Sequence, residues 1–175
     1  MGDMNIRFRQ VIESDREKFQ IWYERINGAG LFSHFIPSSF VSFKQSQDLL
    51  WLIILDGNDE IGTIWFEKNS TDKRTCDLGI YLNRVELFGK GIGKMVIKSA
   101  IDSIICAQGI QEIYLNVRQN NARAIRCYES LGFETIYEGE KTIDSGIIRF
   151  KRMKLALHSC NDTRKAAPVE ECNST

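Results

Sequence analysis

The sequence predicts one mixed α/β or α+β domain, a sheet with helices packed on it, and three observations carry that prediction. Apolar runs and helical periodicities follow one another as strand, helix, three strands, helix, strand, helix, two strands. The 175 residues suit one domain, or at most one domain with a tail. The chain is 43% hydrophobic and 26% charged, so it can bury a core and is not disordered overall.

Each element has its own signal. Asn5–Val11 alternates Ile6, Phe8 and Gln10 against Arg7 and Arg9, a strand pattern. Ser14-Asp15-Arg16-Glu17 has the spacing of a capping box, with Ser14 accepting from first-turn amides and Glu17 reaching back. Phe19, Trp22, Tyr23 and Ile26 then recur at helical spacing until Gly28-Ala29-Gly30. Residues 31–48 read as a loop holding one short helix. Leu49–Leu55 and Ile61–Glu67 flank Asp56-Gly57-Asn58-Asp59, a hairpin signal. A polar turn at Asn69–Lys73 leads into a third strand, Cys76–Leu82. The helix Ile92–Ala107 presents Ile92, Met95, Val96, Ala100, Ile101, Ile104 and Ile105 to a core, and Gly109 stops it. After the strand Ile113–Val117, Asn121 is placed to cap a helix carrying Ala124, Ile125, Tyr128 and Leu131, with Gly132 ending it. Phe133–Tyr137 and Ile147–Leu155 close the fold around Asp144-Ser145-Gly146. The domain is expected to span 1–157, with 158–175 a polar tail that holds one Val and no Leu, Ile or aromatic residue.

Charge and composition exclude several classes. Lys and Arg total 23, as do Asp and Glu, which argues against a nucleic-acid partner. The longest apolar stretches, such as Leu49–Leu55, are too short to cross a bilayer, so no membrane partner is expected. Met1–Asn5 opens no export signal, and a soluble cytoplasmic protein, monomer or homodimer, is the expectation. Five cysteines without a CxxC pair read as free thiols. Only His34 and His158 could supply imidazole, so neither a metal site nor a His-dependent hydrolase is expected.

One loop carries chemistry. Phe88-Gly89-Lys90-Gly91-Ile92-Gly93-Lys94 joins a strand to a helix start, where free amides and the positive dipole end favour a phosphate. Only three residues separate Gly89 from Gly93, and Met95 follows Lys94, which fails the Walker A pattern. Gly93 comes two residues after Gly91, which fails the dinucleotide fingerprint.

This loop resembles the acetyl-coenzyme A diphosphate loop of the GNAT superfamily of N-acetyltransferases, which reads Arg or Gln, two residues, Gly, one residue, then Gly or Ala. Gly91 and Gly93 fill the small-residue positions, while Phe88 stands where Arg or Gln is usual. The segment Asn121–Phe133 is similar to the family's coenzyme-binding helix almost throughout, most of all in ribosomal-protein N-terminal, polyamine and aminoglycoside 6′-N-acetyltransferases.

The resemblance implies a single domain with a mixed, mostly antiparallel central sheet flanked by helices. It implies acetyl-CoA as cosubstrate and an amine acceptor, a small molecule or a protein N-terminus, acetylated by direct attack in a ternary complex. The pantetheine arm would pair with backbone near Tyr81, Leu82 and Asn83, and the diphosphate would sit on amides of Phe88, Gly89, Lys90, Gly91, Ile92, Gly93 and Lys94. Asn121 would bond the arm, and Tyr128 would stand by the sulfur. A phenol there can protonate a leaving thiolate. The attacking amine must lose a proton, and Glu67 and Asp77 are both open as its acceptor. A non-catalytic acyl-CoA-binding regulatory module on the same fold is the alternative.

Overall fold

A computed structural model describes residues 4–26, 36–40, 42, 46–143 and 146–157. Strands β1 (Ile6–Gln10), β2 (Leu49–Asp56), β3 (Asp59–Lys68), β4 (Thr75–Leu82), β5 (Glu112–Arg118), β6 (Glu134–Ile143) and β7 (Gly146–Ala156) form one sheet in the order β1-β2-β3-β4-β5-β7-β6. Helices α1 (Arg16–Ile26), α2 (Ile92–Ala100) and α3 (Ala122–Glu129) flank it. The expected order of elements is the observed one.

Every neighbouring pair of strands is antiparallel except β4 and β5. Those two run parallel and pair at three positions only, Thr75↔Glu112, Cys76↔Ile113 and Asp77↔Tyr114. Beyond Asp77, β4 stays in register on β3 as far as Gly62↔Leu82, and β5 stays on β7 as far as Arg118↔Phe150. Each strand follows its own antiparallel partner, so the two part and leave a V-shaped opening in mid-sheet.

Two apolar layers hold the sheet. On one face Val96, Ile97 and Ile105 pack against Ile54, Ile64, Leu78, Ile113, Leu115 and Met153. On the other, Phe19, Trp22 and Ile26 of α1 pack against Trp51, Ile53, Leu55, Trp65 and Tyr81, with Phe19 stacked on Trp51 at 4.5 Å. Strand β2 is covered on both faces, which explains its unbroken apolar run.

The structure corrects several local expectations. The first turn before α1 is capped by Asp15, whose Oδ2 accepts from the Ile12 amide at 3.0 Å, and not by the pair Ser14 and Glu17. Asp15 is drawn inward because Arg9 and Lys18 both donate to it. Helix α2 leaves α geometry at Ile101, passing through a π turn at Ile101–Ile105 and a 3-10 turn at Cys106–Gln108 before Gly109 at φ +70°. Met95, expected in the core, is exposed. Strand β6 runs past Tyr137 to Ile143, because its long hairpin with β7 is solvated and lacks an apolar alternation to read. Within 31–48, residues 36–40 form a turn closed by the Phe40 amide on the Pro37 carbonyl at 3.3 Å. The rest of the stretch in which a short helix is expected includes 31–35, 41 and 43–45, which lie outside the described residues, as do Asp144, Ser145 and the tail 158–175. Cys76 and Cys127 carry free thiols, whereas Cys106 is disulfide-bonded, against the reading of all five as free. Among the described residues no helix is long and apolar enough to cross a membrane.

Candidate active site

The opening between β4 and β5 continues into a cleft of about 1240 Å³. Its walls include Leu78–Leu82 of β4, Asn116–Arg118 of β5, the loop into α2, and the inner face of α3. Of the residues singled out from sequence, Glu67, Asp77, Tyr81, Leu82, Phe88, Gly89, Gly91, Ile92, Gly93, Lys94, Asn121 and Tyr128 border it. Asn83 and Lys90 do not.

The parity of β4 decides which backbone groups face the opening. The Asn83 amide donates to the Ile61 carbonyl at 2.9 Å, so Asn83, and with it Tyr81 and Gly79, turn their peptide groups toward β3. The edge turned to the cleft therefore belongs to Leu78, Ile80 and Leu82. The expectation that Tyr81 and Asn83 offer backbone groups is corrected accordingly. Asn83 is further committed through its Nδ2, which donates to the Glu60 carbonyl at 2.7 Å. Tyr81 instead contributes a buried ring to the α1-side core, and burial raises its phenol pKa.

The loop into α2 is a cradle of amides. Gly89 at φ +75° and Gly91 at φ +77° occupy the left-handed region, which costs other residues about 1–2 kcal/mol. A Cβ at either position would meet nothing within 4 Å, so the backbone borders open space. Gly91 caps α2, and its carbonyl accepts the first helical bond from Met95 at 3.1 Å. The amides ahead of Met95 have no intrahelical acceptor and lie at the positive end of the helix dipole. An anion of diphosphate size suits this concavity. Lys94 Nζ donates to the Ser130 carbonyl at 3.1 Å, tying α2 to α3, and Lys90 is exposed away from the cleft.

Helix α3 supplies the opposite wall. Asn121 caps it as expected, its Oδ1 accepting from the Ala124 amide at 3.2 Å. With Oδ1 accepting in the cap, the two Nδ2 donors of Asn121 are what it adds toward a ligand. Tyr128 is half-buried, edge-on to Phe133 with ring centroids 5.8 Å apart. Burial raises its pKa and the neighbouring Cys127 adds to the effect, so the phenol keeps its proton at neutral pH. Burial likewise raises Cys127, with Lys94 opposing, which makes it a poor nucleophile.

At the far end Glu67 and Asp77 face each other across the β3–β4 pairing. Glu67 accepts from the Ser39 amide at 2.7 Å and from Ser38 Oγ at 3.1 Å. Asp77 pairs with Arg152 of β7, whose guanidinium lies 4.9 Å from the Tyr114 ring centroid. Trp65 crosses Gly79, where a Cβ would fall 2.0 Å from the indole, so glycine is required for the indole to lie there. Sequence reasoning missed Trp65, Arg152 and Arg123, since an aromatic or a cation within a periodic run looks like ordinary packing or surface.

Residues 4–134 match the family model described as the acetyltransferase (GNAT) domain. The chain belongs to the GNAT acetyltransferase family. Over 92 residues it is 29% identical to the spermine/spermidine N(1)-acetyltransferase of Bacillus subtilis (strain 168), covering 50% of this chain and 53% of that protein. Over 73 residues it is 30% identical to the aminoglycoside N(6′)-acetyltransferase type 1 of Klebsiella pneumoniae, covering 42% of this chain and 36% of that one. The chain thus spans about half the length of the first of these relatives and less of the second. The crystal structure of spermidine N-acetyltransferase from Vibrio cholerae in complex with CoA and spermine shares the fold, with a TM-score of 0.69 at 20% identity over 89% of this chain and 97% of that chain.

Proposed function

We propose that the protein is an acetyl-CoA-dependent N-acetyltransferase acting on a primary amine by direct attack in a ternary complex, through a domain spanning 1–157 with 158–175 as a polar tail. The observation that carries this reading is the convergence of the opened β4 edge, the amide cradle at Gly91 and the protonated Tyr128 on one cleft.

The bound thioester supplies an activated acetyl group and a thiolate leaving group. Leu78, Ile80 and Leu82 offer the pantetheine arm a strand edge, and Asn121 Nδ2 adds a donor. The first-turn amides of α2 hold the diphosphate, which fixes the distance from loop to reacting carbon. Tyr128 keeps its proton through the neutral range and donates it toward the departing sulfur. An amine of pKa about 10.4 is mostly protonated at pH 7, and exposing its lone pair costs roughly 4–5 kcal/mol. Glu67 and Asp77 are the carboxylates in the cleft that can take this proton, directly or through water. With Trp65 and Tyr23 they also suit a cationic acceptor, and polyamine- and aminoglycoside-like amines are the first to try.

The test is thiol release from acetyl-CoA across a panel of such amines. Turnover is expected with at least one. Tyr128→Phe should lower kcat by about 100-fold or more while coenzyme affinity changes little. Equal losses in both would make Tyr128 a packing residue. Tight binding without turnover on any amine would favour the non-catalytic acyl-CoA-binding regulator.

A further inference from the structure

The usual Arg or Gln ahead of the glycine loop is absent, and the structure brings a different cation to that place. Phe88 is half-buried and packs against both core layers, so it cannot act as a surface side chain. Over its ring lies the guanidinium of Arg123, from the first turn of α3, with its central carbon 4.0 Å from the centroid. Both residues border the cleft.

We infer that Arg123, seated on Phe88, is the side-chain clamp for the diphosphate in this chain, an assignment that rests on the proposed acetyl-CoA site. A guanidinium lying on an aromatic face is attracted by the ring, and its five donors lie in its own plane, so stacking leaves them directed sideways. Among the described residues no carboxylate pairs with Arg123, unlike Arg9, Arg152 or Arg149. A half-buried planar cation without an acid, on the rim of a cradle of free amides, calls for a bidentate anion. The other cations nearby fit less well. Lys94 is bonded to the Ser130 carbonyl, Lys90 lies off the cleft, and Arg126 is exposed, with no ring over it among the described residues. The aromatic residue at 88 thus performs the task of the missing side chain at one remove, by holding a guanidinium from the facing helix.

The experiment is a calorimetric titration of the full chain and of Arg123→Ala, Arg123→Lys and Phe88→Leu, each first checked for an unchanged thermal melt. The probes are acetyl-CoA, 3′-dephospho-CoA and S-acetylpantetheine, which lacks the diphosphate. Arg123→Ala should weaken acetyl-CoA and 3′-dephospho-CoA alike, by about tenfold for a charge-assisted contact, and leave S-acetylpantetheine unchanged. Arg123→Lys should recover part of the loss, and Phe88→Leu should weaken both nucleotide probes by a smaller factor than Arg123→Ala. Loss for acetyl-CoA alone would assign Arg123 to the 3′-phosphate and overturn the clamp. Equal loss for all three probes would make Arg123 structural and overturn it too. Wild-type binding that survives Arg123→Ala intact would overturn the clamp and leave the acetyl-CoA site standing. No binding of acetyl-CoA by the wild type would remove the proposed function, and the clamp with it.

Discussion

Replacing Gly91 by alanine separates two properties that the loop combines, its backbone strain and its contact with a ligand. Gly91 sits at φ +77° with no protein atom within 4 Å of an added Cβ. The substitution therefore adds no clash within the protein, only the cost of an L-residue in the left-handed region, about 1–2 kcal/mol. For a domain of this size that lowers Tm by roughly 2–8 °C. Gly57, in the β2–β3 turn, is a matched control, at φ +59° with equally open space around it and no part in the cleft. Gly57→Ala and Gly91→Ala should lose similar stability in thermal melts. In titration with acetyl-CoA only Gly91→Ala should lose affinity, by about tenfold or more, because its methyl would enter space assigned to the diphosphate. Equal affinities in the two variants would refute the placement of the diphosphate on this loop.

Other consequences can be measured independently. Asp15, whose side chain is 3% exposed, has its pKa lowered from 3.8 to about 2. Burial pushes it up, but hydrogen bonds from Arg9, Lys18 and the Ile12 amide together outweigh that. A lowered folded-state value stabilises the protein above about pH 3.8 and is lost as pH falls through about 2, with a full contribution of about 2 kcal/mol. Asp15→Asn should thus cost about 2 kcal/mol in urea melts at neutral pH, with the difference shrinking between pH 4 and pH 2. A difference constant with pH would contradict the linkage. For the proton acceptor, Glu67→Gln and Asp77→Asn should differ in kcat, the relaying carboxylate losing about 100-fold or more and the other little. Both variants within twofold of wild type would move the proton path off this acid pair.

The order of elements was legible because each long element carries its own period and its own stop. The hairpin at Asp56–Asp59, the cap at Asn121 and the glycine ending at Gly132 all follow from local chemistry. What escaped was set by tertiary partners. Asp15 displaced Ser14 and Glu17 from the cap because Arg9, a strand residue, and Lys18 draw it inward. The far half of β6 was hidden because a solvated hairpin carries no apolar alternation. The cleft shows the same division. The glycines at 89 and 91 announce a left-handed loop, yet the parity that gives the open edge to Ile80 and Leu82, and not to Tyr81, depends on the register with β3. Arg123 and Phe88 lie far apart in sequence, and only the approach of α3 to the loop makes them a pair.

The proposed coenzyme site is tested most directly by titrating the wild-type chain with acetyl-CoA, using coenzyme A, ATP and NAD as comparators. Saturable binding of acetyl-CoA and coenzyme A is expected, with ATP and NAD at least about tenfold weaker, because both nucleotides lack the pantetheine arm that the open strand edge is proposed to pair with. Binding of ATP or NAD without binding of acetyl-CoA would contradict this expectation and turn the cleft into a nucleotide site.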